Sequence, residues 1–183
     1  MLRRQKSSAM QLAFRDVLTG LPNRRMVDLF LQQHFAASQR GQPLTVAIFD
    51  LDRFKNYNDT YGHAAGDEAL EAFGGILKRQ TRDSDIAGRY GGEEFLAILP
   101  SSNMEGARQY AERVREALAR HELPSGTRIT VSAGVAVSGP TMSDASELVR
   151  AADAALYQAK AAGGNRVDPG PTRPEAPVPA DIG

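Results

Sequence analysis

The stretch that most limits how this chain folds is Arg89-Tyr90-Gly91-Gly92-Glu93-Glu94-Phe95, set between Asp85-Ile86-Ala87-Gly88 and Leu96-Ala97-Ile98-Leu99-Pro100. Both flanks read as strands. Gly-Gly accepts positive φ at both central positions of a two-residue turn, so the chain is expected to reverse at Gly91-Gly92. Glu93 and Glu94 follow at once. Side chains alternate along a strand, so the two carboxylates are expected on opposite faces, both close to a turn whose glycines let a ligand approach the backbone. Two local readings stay open: a solvated tip with two surface acids, or a site for a metal-bound phosphate ester.

Composition narrows the classes of partner. The 22 basic and 22 acidic residues among 183 balance, so no overall pull toward nucleic acid or an anionic membrane follows, and any anion must be met locally. Absence of cysteine excludes disulfides, thiolate metal sites and a cysteine nucleophile, and is compatible with a reducing, cytoplasmic setting. No apolar region follows the basic start, and no run approaches the roughly 20 apolar residues that span a bilayer. The length suits one domain with a substantial core.

The remaining chain alternates strand and helix signals. Residues 1–15 read as a helical lead-in with a short apolar stripe, and Asp16 to Arg25 as a Gly-containing loop entering a helix, with Pro22 in its first turn. Leu44 to Asp50 is a buried strand. Asp52 suits a helix N-cap, whereas a carboxylate at Asp50, on a central strand, has to be paired or bind a cation. Phe54 to Tyr61 is a short helix, followed by a bend at Gly62 and a longer helix on which Asp67 lies near the N-terminus. An Asn amide both donates and accepts and an ionised Asp accepts two donors, so Asn58 and Asp67 together suit the edge of one guanine. Glu105–Leu123 and Ser143–Ala162 are amphipathic helices, with Ser143 or Asp144 capping the second. Arg128–Val137 is a strand in which Gly134 marks a bulge or a close backbone approach. From Asp168 onward the Pro-rich composition reads as a disordered tail. Strands alternating with helices, plus one hairpin, give an α/β (α+β) fold with helices packed on a sheet.

Taken together, Asp16-x-Leu18-Thr19-Gly20-Leu21-x-Asn23-Arg24, Asp50-Leu51-Asp52-x-Phe54-Lys55, Asn58-Asp59-x-x-Gly62-His63-x-x-Gly66-Asp67, the Gly91-Gly92-Glu93-Glu94-Phe95 hairpin and Ala154-Ala155-Leu156-Tyr157-x-Ala159-Lys160 resemble the GGDEF domains, the diguanylate cyclases of bacterial signalling, over residues 16–167. The resemblance implies a palm-like nucleotidyl cyclase fold with a central, mostly antiparallel sheet. It also implies condensation of two GTP into cyclic di-GMP with release of two pyrophosphates, across a homodimer in which each domain holds one GTP. By the same resemblance, Asp50, Glu93, Glu94 and the Leu51 carbonyl hold two Mg²⁺, or Mn²⁺, and Glu93 lies near the attacking 3′-hydroxyl. Phe54 and Lys55 hold phosphates through their N–H groups, with Lys160 adding charge. Asn58 and Asp67 read guanine, and Gly91 and Gly92 leave room for the nucleotide.

An inhibitory product site of the family, Arg-x-x-Asp, matches Arg82 and Asp85, with Arg113 on the next helix as a second arginine. Two departures stand out. Arg15 replaces a frequent Thr, and Gly164 stands where members often carry a phosphate-contacting Arg, with Arg166 two residues away. The alternatives are a non-catalytic receptor for cyclic di-GMP and a polymerase-like enzyme acting on nucleic acid. The intact Glu-Glu pair argues against the first and the charge balance against the second.

Overall fold

The computed structural model describes residues 13–170. The expected lead-in as far as residue 12 and the expected tail from 171 therefore lie outside the described residues. Within them run α1 (Arg24–Ser38), β1 (Leu44–Leu51), α2 (Phe54–Tyr61), α3 (His63–Gln80), β2 (Ile86–Arg89), β3 (Glu94–Pro100), α4 (Met104–Arg120), β4 (Val131–Val137), α5 (Ala145–Ala161) and β5 (Val167–Pro169). The sheet order is β2-β3-β1-β4-β5, antiparallel throughout except for the parallel β4–β5 pair.

The alternation of β1 sorts the core into two halves. Val46 and Ile48, with Leu96 and Ile98 of β3, pack against Val27 and Leu31 of α1 and Leu148, Ala152 and Leu156 of α5. Ala47, Phe49 and Leu51, with Phe95 and Ala97, face the other way, against α2, α3 and α4. Phe73 stands edge-on to both Phe49 and Phe95, at centroid distances of 5.9 and 4.9 Å. Burying each of these rings contributes about 1.5–3 kcal/mol, which fixes the ends of β1 and β3 side by side. All eight residues of β1 are buried, Asp50 included.

Gly134 is the position where α5 meets the sheet most closely. A Cβ there would lie 2.1 Å from the Ala152 carbonyl oxygen and 2.2 Å from the Leu156 nitrogen, so of the two expectations the close approach is the one realised. Several boundaries differ from the sequence reading. Pro22 precedes the N-cap Asn23 instead of opening α1, and its carbonyl accepts from the Arg89 N–H at 2.9 Å. Helix α4 stops at Arg120 because the chain turns extended at His121, and Leu123 packs into the core beyond it. Asp144, whose carboxylate accepts from the Ser146 and Glu147 N–H groups, is the cap of α5. Residues 168–170 belong to the fold: β5 reaches Pro169, and the Gly170 N–H donates to Val135 at 2.7 Å. Among the described residues no helix is long and apolar enough to cross a membrane.

Candidate active site

The hairpin reverses differently from the expected two-residue turn. Four residues, Tyr90 to Glu93, connect β2 to β3, and neither Gly91 nor Gly92 has positive φ. The turn is closed instead by the Tyr90 and Gly91 N–H groups, which both donate to the Glu94 carbonyl at 2.8 and 3.1 Å. The Glu94 carboxylate folds over Gly91: a Cβ there would lie 2.5 Å from one of its oxygens and would push that side chain aside. The Arg89 guanidinium donates to the Gly92 carbonyl at 2.7 and 3.0 Å and also reaches the Asp16 carboxylate at 3.4 Å. Asp16 in turn accepts from the Thr19 N–H and hydroxyl at 2.9 and 2.7 Å. Burial raises the Asp16 pKa, but the Thr19 hydrogen bonds and Arg89 outweigh it, so the carboxyl sits below its ordinary value. This brace between residues 73 apart escaped the sequence reading. The Asp16-x-Leu18-Thr19 motif was its signal, although nothing in the motif names Arg89 as the partner.

Registry places Asp50 opposite Glu94 on β3 and Ser132 on β4. Residues directly opposite share a sheet face, so Asp50 and Glu94 lie on the α5 side, from which Lys160 approaches. The Lys160 Nζ stands at ion-pair distance from Asp50 Oδ1, yet that buried oxygen has no hydrogen bond of acceptable geometry. Burial pushes the Asp50 pKa up; Lys160 opposes the rise, and Asp52 and Asp153 add to it. Glu93 precedes the strand, so strand alternation does not set its direction. Its pKa is also raised, by burial first and then by Asp50 and Glu94, against Lys160. The Leu51 N–H reaches back to the Glu93 carbonyl at 3.4 Å, which ties this loop to the end of β1.

Asp52 is not the N-cap of α2. That position is Arg53, in left-handed conformation with φ 54°, and no side chain caps the helix. Asp52 instead accepts from the Ser132 and Thr130 hydroxyls, both at 2.6 Å, and from the Asn165 N–H at 2.8 Å, joining β1 to β4 and to the turn after α5. The uncapped first turn of α2 leaves the N–H groups of Phe54 and Lys55 without intrahelical acceptors. Phe54 is buried and the Lys55 side chain exposed.

Asn58 Oδ1 is the second buried polar atom without a partner. Gly66 of α3 packs directly against it, where a Cβ would lie 1.8 Å from that oxygen. Asp67 follows Gly66 in the first turns of α3 and is exposed.

Arg82 and Asp85 lie just ahead of β2, roughly 13 Å of strand away from the turn, and Arg113 lies on α4. Asp85 and Arg113 both act on the buried Tyr110 hydroxyl, which bonds to Thr81 Oγ1 at 2.8 Å; the Arg113 guanidinium carbon is 5.8 Å from that ring's centre. The side chains of Arg82 and Arg113 are exposed.

Among the described residues no three metal-binding side chains converge on one point. The chemistry of the site still suits Mg²⁺, which binds proteins through one or two carboxylates and takes its other ligands from phosphate and water. Asp50, faced by Lys160, and Glu93 are such a pair.

Residues 13–166 match the family model described as "Diguanylate cyclase, GGDEF domain". The chain is 43% identical over 163 residues to Diguanylate cyclase DgcP of Pseudomonas aeruginosa, covering 86% of this chain and 24% of that one. Among solved structures it resembles the GGDEF domain of DgcB from Caulobacter crescentus in complex with c-di-GMP, with a TM-score of 0.82 and 34% identity over 86% of this chain and 95% of that one. It also resembles the active GGEEF domain of a diguanylate cyclase from Vibrio cholerae, with a TM-score of 0.79 and 34% identity over 84% of this chain and 99% of that one. The chain spans less than half the length of the curated relatives it matches.

Proposed function

Since this chain belongs to the GGDEF family of diguanylate cyclases, we propose that it condenses two GTP into cyclic di-GMP and two pyrophosphates, between two facing copies. The observation that supports this most is the pair of upward-shifted carboxylates at the end of β1 and the hairpin, buried Asp50 and half-buried Glu93, with Lys160 as the one cation beside them among the described residues. Carboxylates shifted in this way cluster at functional sites. Asp50, Glu93, the Leu51 carbonyl and Glu94 would hold two Mg²⁺, or Mn²⁺. When bound, these ions would supply Lewis-acid stabilisation of charge on the entering and leaving oxygens.

The protein's own groups divide the remaining work. Asn58 and Asp67 read the guanine edge, and the Asn58 oxygen gains its missing partner from the guanine N1–H or amine. The free N–H groups opening α2 hold phosphate oxygens, with Lys160 beside them. Glu93 lies beside the 3′-hydroxyl and accepts its proton as the oxygen attacks. The 3′-oxygen forms a bond to the α-phosphorus of the partner's GTP, and the bond from that phosphorus to the bridging oxygen breaks. Its electron pair leaves with pyrophosphate, and a second, symmetric transfer closes the ring.

At the far end of β2, Arg82, Asp85 and Arg113 bind the product and slow the enzyme: Arg pairs with guanine O6/N7 or phosphate, and Asp85 accepts from the N1/N2 edge. The test is turnover of GTP with Mg²⁺ by the wild type and by Glu93→Ala. Product from the first and none from a folded second is expected. Equal rates would overturn the assignment.

A further inference from the structure

Helix α4 buries a stripe of Ala107, Tyr110, Ala111, Val114 and Leu118, and one member of that stripe carries a hydroxyl. Tyr110 is 4% exposed, and its ring stands edge-on to Phe49 with the centroids 6.2 Å apart. A phenylalanine would fill the same place. A phenol buried there costs free energy unless its hydroxyl is paired, so the hydroxyl needs a partner of its own.

That partner is Thr81, at 2.8 Å. Thr81 is the C-cap of α3, and its one hydroxyl proton goes to the Leu77 carbonyl at 2.7 Å. The Tyr110 hydroxyl is therefore the donor and Thr81 Oγ1 the acceptor. Burial raises the Tyr110 pKa, so the donated proton stays in place at physiological pH.

The bond ties together the two segments that carry Arg82, Asp85 and Arg113. Thr81 immediately precedes Arg82, and the Asp85 N–H donates back to the Arg82 carbonyl at 3.0 Å to close the turn between them. On the other segment Arg113 follows Tyr110 by three residues, one helical turn on, and its guanidinium carbon lies 5.8 Å from the centre of the Tyr110 ring. Arg82, Asp85 and Arg113 make no ion pairs among the described residues, so salt bridges of their own do not set the spacing between turn and helix.

We propose that Tyr110 is a positioning residue for the inhibitory site: its hydrogen bond to Thr81 holds the Arg82–Asp85 turn against α4, so that Arg82, Asp85 and Arg113 act on one ligand. The assignment rests on the product-site reading above and deepens it. Tyr110 itself touches no ligand. Without its hydroxyl the turn and α4 each persist, but a ligand that bridges them has to order them on binding, at a cost in affinity.

The experiment titrates cyclic di-GMP, and separately a non-hydrolysable GTP analogue, into the whole chain by calorimetry. It uses wild type, Tyr110→Phe, Thr81→Val, Thr81→Ser, the Tyr110→Phe/Thr81→Val double variant and Arg82→Ala, all well below the lowest melting temperature of the set. Tyr110→Phe keeps the ring and its packing. Cyclic di-GMP affinity should fall about fivefold in Tyr110→Phe, the scale of one lost hydrogen bond, and at least as far in Thr81→Val. Thr81→Ser, which keeps the hydroxyl, should bind like wild type, and the double variant should be no weaker than Thr81→Val alone. Affinity for the GTP analogue and turnover without product should be unchanged at both positions, while product inhibition weakens in step with the lost affinity.

Unchanged cyclic di-GMP affinity in Tyr110→Phe, with Arg82→Ala weakened, overturns the positioning role and leaves the product site standing. An equal loss of the GTP analogue also overturns it, since the hydroxyl would then support the fold at large. So does a double variant whose loss is the product of the two single losses, because the two hydroxyls would then act independently. If the wild type binds no cyclic di-GMP, or Arg82→Ala binds it as the wild type does, the product-site reading itself fails and the positioning role falls with it.

Discussion

Asp16 and Asp50 flank the same hairpin and are treated in opposite ways. Around Asp16 every polar need is met: Thr19 supplies two hydrogen bonds, Arg89 bridges on to the Gly92 carbonyl, and the carboxyl is held below its ordinary pKa. Around Asp50 the one partner among the described residues is the half-exposed Lys160, while burial and the neighbouring acids press on the carboxyl and its pKa is raised. The first region holds the turn in shape. The second sets one half-exposed lysine against several acids, an arrangement that a bound cation would relieve. Asp52 repeats the lesson two residues from Asp50, with three donors and a purely structural place.

The sharpest way to break this contrast is Asp50→Asn. Turnover should fall by about a hundredfold to a thousandfold, the scale expected when one group acting on developing charge is lost, while the melting temperature stays level. A folded variant with unchanged turnover would remove Asp50 from the chemistry. Next in size is Gly66→Ala, whose methyl group would displace the Asn58 amide; GTP binding should weaken about tenfold or more, measured by titration with a non-hydrolysable GTP analogue. Retained affinity would mean that Asn58 does not read the base.

Asp16→Asn should act on stability instead, costing about 1–2 kcal/mol in urea unfolding at neutral pH by weakening the acceptor for Thr19 and Arg89. Because the folded pKa of Asp16 is lowered, its stabilisation is present above the ordinary value of 3.8 and lost as pH falls through the lower, folded value. The gap between wild type and variant should therefore narrow below pH 3.8; a constant gap would show that charge is irrelevant there. The smallest effect on the uninhibited enzyme is expected from exposed Arg82→Ala, with stability within about 0.5 kcal/mol of wild type and the same rate without product, but weaker inhibition by added cyclic di-GMP. Full inhibition in that variant would count against the product site.

The layers of the fold were legible because Val46/Ile48 against Ala47/Phe49 and the helical spacing of Leu148, Ala152 and Leu156 carry their periods locally. Asp50 was legible as well, since an acid at the end of so apolar a strand has few structural uses. What sequence could not supply was the identity of distant partners. Asp52 reads as a cap until β4 brings Thr130 and Ser132 to it, and Arg89 reads as part of a turn until Asp16 arrives from 73 residues away. The turn itself was misread because Gly-Gly suits a tight reversal. Here the reversal runs through four residues, and the Glu94 carboxylate occupies the space beside Gly91.

The most direct test of the account is to incubate the purified chain with GTP and Mg²⁺ at increasing protein concentration and separate the nucleotides chromatographically. Cyclic di-GMP should appear at a rate per molecule that rises with concentration, because in the proposed reaction each copy holds only one of the two GTP molecules. No cyclic di-GMP at any concentration from a chain that still binds it would contradict the account, and would mark the fold as a receptor for the nucleotide.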